Sequence, residues 1–139
     1  MPKISHVGVL PYRVKAGQTE YLLITSRGSG RWIIPKGRCK ADAEPRRVAV
    51  AEGYEEAGLR GSLARKPIGQ FRDRPAAGPA GAVLVYPFRV TGQARSWPEK
   101  GQRDLKWADA REATRSVDKQ LARLIRSFQA QLARKRPAH

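Results

Sequence analysis

Residues 37–59 read GRCKADAEPRRVAVAEGYEEAGL, and this stretch decides how the rest of the chain is read. The chain is strongly basic, with 28 Lys and Arg against 12 Asp and Glu. Five of the acids (Asp42, Glu44, Glu52, Glu55 and Glu56) nevertheless fall within this run. On a helix Glu52, Glu55 and Glu56 stand at i, i+3 and i+4, sharing one face within about 100° of arc. Carboxylates that close repel one another unless a cation sits among them. A hard divalent ion, which takes oxygen ligands, meets that need. The bland alternative is a solvated acidic face.

The flanking residues favour the first reading. The stretch resembles the Nudix box, in which Gly37, Glu52, Glu55, Glu56, Gly58 and Leu59 all match in register. Ala43 stands where that pattern has its first Glu, Ala51 where it has Arg, and Gly53 where it has an apolar residue. The resemblance implies that the missing Glu and Arg pair structurally, so that losing both leaves no unpaired charge. It also implies an α/β (α+β) fold, an α/β/α sandwich around a mixed sheet. The implied activity is hydrolysis of a phosphoanhydride bond with Mg²⁺ or Mn²⁺, held by Glu52, Glu55, Glu56 and the Gly37 carbonyl. One of these glutamates then helps to deprotonate water. A further acid from later in the chain serves as base or extra ligand, with Asp104 preferred to Glu99 because it adjoins a strand. His6 and His139 lie outside the box, and one cysteine gives no thiol metal site, which disfavours Zn²⁺.

A formal charge of +16 favours anionic partners. Glu20 is the only acid in the first 41 residues, against Arg13, Lys15, Arg27, Arg31, Lys36, Arg38 and Lys40. The run LLITSRGSGRWIIPKG resembles the diphosphoinositol polyphosphate phosphohydrolase branch of the family. Arg27, Arg31, Lys36, Arg38 and Lys40 are therefore expected to clamp phosphates, arginine by two-pronged contact. The expected substrate is polyphosphorylated: a diphosphoinositol polyphosphate or a dinucleoside polyphosphate. Two alternatives stay open, an RNA 5′ pyrophosphohydrolase and a nucleotide- or RNA-binding module without turnover. Ala43 and Ala51 favour the module, whereas the three retained glutamates favour an enzyme.

The 139 residues suit one domain, with 131–139 a frayed basic tail. A single cysteine, Cys39, and the absence of a signal-peptide pattern at the start point to the cytoplasm. No apolar run reaches the roughly 18 residues of a membrane span.

Local patterns predict strands over 5–14, 20–25, 63–72, 81–91 and 104–107, with a short apolar run at Trp32, Ile33 and Ile34 ended by Pro35. Pro87 marks an irregular point in its strand. Lys36-Gly37 reads as a loop feeding the box helix, and DRPAAGPAG (73–81) as a mobile loop. The box helix is expected over 43–57, capped by Asp42, with Pro45 in its first turn and Gly58 past its end. Val50, Tyr54 and Ala57 are expected to face the sheet. Gly53 inside that helix costs about 1 kcal/mol against Ala, which suggests close packing. Asp109 caps a short helix over 110–117. In the last helix Leu121, Leu124, Ile125, Phe128 and Leu132 form a core-facing stripe.

Overall fold

Two long strands, Lys3–Lys15 (β1) and Gly81–Gln93 (β7), run parallel to each other at the centre of the sheet in the computed structural model, which describes residues 3–72 and 81–135. Antiparallel neighbours flank them: Gln18–Thr25 (β2) pairs β1, Trp32–Ile33 (β3) pairs β2, and Leu59–Leu63 (β5) pairs β7. Lys36–Arg38 (β4) also pairs β1, Gly69–Phe71 (β6) pairs β7 and Leu105–Asp109 (β8) pairs β2. The sheet is therefore mixed. The helices are Pro45–Ala57 (α1), Ala110–Ser116 (α2) and Lys119–Lys135 (α3).

Alternation along the strands supplies two cores, because successive side chains leave a strand on opposite faces. Val7, Val9, Leu22, Ile24, Tyr86 and Phe88 pack on the α1 side. Leu10, Tyr21, Leu23, Val83 and Val85 pack on the other, against Leu121, Ile125 and Phe128 of α3. The α/β/α sandwich follows from these two faces, and the stripe of α3 faces the core as the sequence indicates.

Several local expectations are corrected. Lys36–Gly37 is not loop but part of β4, paired with Gly8 and Val7 of β1. A methyl group on Gly8 would lie 2.9 Å from the Pro35 carbonyl oxygen, so only glycine lets this crossing approach. The single strand over 63–72 is two, β5 and β6. They divide opposite Pro87, which has no N–H to donate, although its carbonyl accepts from Ala64 N–H at 2.9 Å. The cap of α1 is Glu44, not Asp42; its carboxylate accepts from Arg46 and Arg47 N–H at 3.0 and 3.1 Å. Helix α3 continues through 131–135, and residues 136–139 lie outside the described residues, as do residues 73–80 of the loop expected over 73–81, whose last residue Gly81 begins β7.

The face of α1 also differs. Val50 and Tyr54 are exposed, and the buried residues are Ala49, Gly53, Glu56 and Ala57. Small side chains decide this. A methyl group on Gly53 would stand 3.4 Å from Val9 Cγ2 and 3.5 Å from Leu59 Cδ1, so the helix axis lies close to the sheet. That close approach carries Glu56 inward with the alanines.

Candidate functional site

The last turn of α1 leaves carbonyl groups without helical partners, and these draw the chain after β7 onto the box. Gly58, in the left-handed conformation (φ 67°), donates its N–H back to the Gly53 and Tyr54 carbonyls. Gln93 Nε2 donates to the Ala57 carbonyl at 2.8 Å, Ala94 N–H to that of Gly58 at 2.9 Å, and Glu99 N–H to that of Glu55 at 3.0 Å. The Trp97 ring lies where a side chain on Gly58 would stand, 2.4 Å from its methyl position. Box glycine and tryptophan together thus seat the 93–103 segment.

That segment delivers Glu99 and Arg103 to the box glutamates. The Arg103 side chain is only 7% exposed. Its Nε donates to Glu99 Oε1 at 3.0 Å, its Nη1 to the Thr25 carbonyl at 3.0 Å, and its Nη2 stands 3.5 Å from Glu56 Oε2. Glu56 is 6% exposed, and its Oε1 accepts from Lys36 N–H at 3.0 Å. Burial pushes the Glu56 carboxyl up to about 7, against the lowering pull of Arg103 and the Lys36 N–H; Glu52 and Glu99 raise it further. Glu52, half-buried and within hydrogen-bonding contact of Glu56, is also raised, by burial first and then by Glu55. The Glu52 carboxylate lies over Gly37, where a methyl group would fall 2.2 Å from Glu52 Cδ. This contact explains why the box begins with glycine.

Of the three glutamates expected to converge, the structure brings Glu52 and Glu56 together while Glu55 is exposed. Like charges separate where they can, and Glu56 turns to Lys36 and Arg103 instead. Among the described residues no group of three His, Cys, Asp or Glu side chains forms a ready metal cluster. The Glu52–Glu56 pair nonetheless suits a hard divalent cation. It offers only oxygen donors, and burial together with the neighbouring carboxylates raises both pKa values, a cost that a bound cation would offset.

A cleft of about 320 Å³ opens beside this pair, lined by Glu56, Arg103, Gly37, Lys36, Arg38 and Arg27, with His6 and Ser26. Three expected phosphate-binding cations therefore share one cavity. Arg27 is held by Gln102 at 2.7 Å. Arg31 and Lys40 are exposed and outside the cleft lining, Arg31 folding back on Ser29 Oγ at 3.1 Å. Asp104 is exposed, its N–H donating to Thr25 Oγ1 at 2.9 Å, whereas Glu99 is the later acid that reaches Glu52 and Glu56 electrostatically. Arg103 escaped the sequence reading because a lone arginine in a polar loop carries no local signal.

The NUDIX domain profile matches residues 2–128. This chain belongs to the Nudix family. It is 33% identical over 116 residues to the chloroplastic Nudix hydrolase 21 of Arabidopsis thaliana, covering 77% of this chain and 56% of that one. It is 37% identical over 83 residues to the human diphosphoinositol polyphosphate phosphohydrolase 3-alpha, covering 59% and 49%. The chain thus spans about half the length of these two Nudix relatives. In fold it is similar to the Ap4A hydrolase of C. elegans, with a TM-score of 0.77 and 20% identity over 94% of this chain and 98% of that one.

Proposed function

We propose that the chain hydrolyses a phosphoanhydride bond in a polyphosphorylated substrate such as a diphosphoinositol polyphosphate or a dinucleoside polyphosphate. Mg²⁺ or Mn²⁺ would be held by Glu52, Glu55 and Glu56 with the Gly37 carbonyl. The observation that carries this reading is one cleft in which a box carboxylate faces Arg27, Lys36, Arg38 and Arg103. The partial identity to a diphosphoinositol polyphosphate phosphohydrolase supports the substrate class.

When bound, the ion neutralises phosphate oxygens and acidifies water. The chain's own residues do the rest. Arg27 and Arg38 donate paired N–H groups to phosphate oxygens, and Lys36 adds a compact charge. Arg31 and Lys40 add charge from outside the cleft. One carboxylate of the Glu52–Glu56 pair accepts the proton of the attacking water. Arg103 favours the ionised form of Glu56 and fixes it in place. Glu99 stands as the additional acid on geometry, and Asp104 as the competing candidate.

The test is phosphate release, with Mg²⁺ or with chelator, from a diphosphoinositol polyphosphate, a diadenosine polyphosphate, 5′-triphosphorylated RNA and a nucleoside diphosphate sugar. Metal-dependent release from one of the first two is expected, reduced at least about 100-fold by Glu56→Gln. Release from RNA alone would move the assignment to RNA 5′ ends. No release from any substrate would leave a binding module.

A further inference from the structure

The side of the sheet opposite the box carries a second concentration of positive charge. Residues 110–135 hold Arg111, Arg115, Lys119, Arg123, Arg126, Arg134 and Lys135 against two acids, Glu112 and Asp118. Both acids are engaged elsewhere. Glu112 pairs with Lys106 at 3.1 Å, and Asp118 Oδ1 accepts from Leu121 N–H at 3.0 Å. Among the described residues none of the seven cations is ion-paired.

Their spacing makes a stripe. At 3.6 residues per turn, Lys119, Arg123, Arg126 and Arg134 fall within about 80° of arc and extend about 22 Å along α3. They lie opposite Leu121, Ile125 and Phe128, which are buried in the core. Like charges three and four residues apart weaken a helix, so this arrangement is not one that α3 stability selects. Beside the stripe, a groove of about 380 Å³ between α2 and α3 is lined by Ala110, Ala130 and Ala133 between Arg111 and Arg126.

We propose that the outer face of α2 and α3 binds the phosphodiester backbone of a nucleic acid strand, independently of the cleft beside α1. A row of cations, none ion-paired among the described residues, matches a row of phosphates, each a monoanion that a guanidinium contacts through two N–H groups. The small-residue groove between Arg111 and Arg126 gives the strand a place to lie close. An anionic membrane is the poorer match. Membrane-surface helices bury an apolar face in lipid. Here the apolar face of α3 is in the core, and the large exposed hydrophobic residues among those described, Val14, Val50 and Tyr54, are all elsewhere.

The experiment is fluorescence anisotropy with a labelled 20-nucleotide RNA bearing a 5′-hydroxyl, and with DNA of the same sequence, over a range of salt concentration. Engagement of Arg111, Lys119, Arg123, Arg126 and Arg134 gives a slope of log K against log salt of about −3.5. The quadruple variant Arg111→Gln, Arg123→Gln, Arg126→Gln, Arg134→Gln should be shallower by about 2.8, with the four lysine replacements restoring most of the slope. Arg27→Gln with Arg38→Gln, in the cleft, should leave the slope unchanged. The quadruple variant should keep the turnover of small substrates. Equal slopes for RNA and DNA assign the contact to the shared backbone, a steeper one for RNA to that strand; either supports the proposal. Absence of binding at about 50 mM salt, or an unaltered slope in the glutamine variant, overturns it. So does a surface that captures phosphatidylserine vesicles through these arginines while nucleic acid binding is unaffected.

Discussion

Glu56→Gln separates the electrostatic part of this account from the rest. The Glu56 carboxyl is pushed from its ordinary 4.5 to about 7, principally by burial. A folded-state value above the unfolded one means that the folded chain binds the proton more tightly. The resulting stability is fully present below about pH 4.5 and is lost as pH rises through about 7. The shift corresponds to about 3 kcal/mol, an order of magnitude for a group that is 6% exposed. Glutamine keeps an oxygen for the Lys36 N–H and carries no charge at any pH. The assay is urea unfolding of wild type and variant in chelator at steps from about pH 4.5 to pH 8.5. Taking the difference between the two cancels the other titrating groups, Glu52 as a first approximation. Wild type should lose about 3 kcal/mol relative to the variant across that range, most of it before about pH 7.5. Parallel curves would refute the reasoning, because they would mean that Glu56 ionises as easily in the fold as in water.

Gly37→Ala should change stability by less than about 1 kcal/mol, since its methyl meets the flexible end of Glu52, but should lower kcat/KM about 100-fold by displacing that carboxylate. Thermal unfolding and steady-state turnover measured side by side check it; full activity would contradict it. Arg103→Gln should destabilise by about 3 kcal/mol at pH 8 and by less at pH 5, where Glu56 is protonated. Denaturant midpoints at the two pH values decide this. Two glycines should respond oppositely in urea unfolding. Gly61→Ala should cost roughly 3 kcal/mol, because its methyl would meet the Arg89 carbonyl oxygen at 1.9 Å, whereas Gly53→Ala should be neutral or gain up to about 1 kcal/mol.

The elements legible in the sequence were those whose information is local. Gly58 as a helix end, Asp109 as a cap and the Leu121–Ile125–Phe128 stripe each rest on neighbours within a turn or two, and the structure keeps all three. The misreadings share a cause. Val50 and Tyr54 are large side chains of α1 left exposed, while the sheet buries Ala49, Gly53 and Ala57, because close approach of helix to sheet rewards small residues over larger ones. Strand β4 carries no apolar run, being Lys36, Gly37 and Arg38, and exists through pairing with β1. In the site, the spacing of Glu52 and Glu56 was visible. Glu99 and Arg103 reach them only through hydrogen bonds to the carbonyls at the end of α1, which link residues far apart in the chain.

The central claim is that the box carboxylates hold a divalent cation against a phosphate chain. Electron paramagnetic resonance of free Mn²⁺ during titration into the chain at about pH 7.5 tests it most directly. Saturable uptake is expected in wild type and should be abolished in the double variant Glu52→Gln, Glu56→Gln. Uptake that the double variant retains, or none in wild type, would contradict the claim.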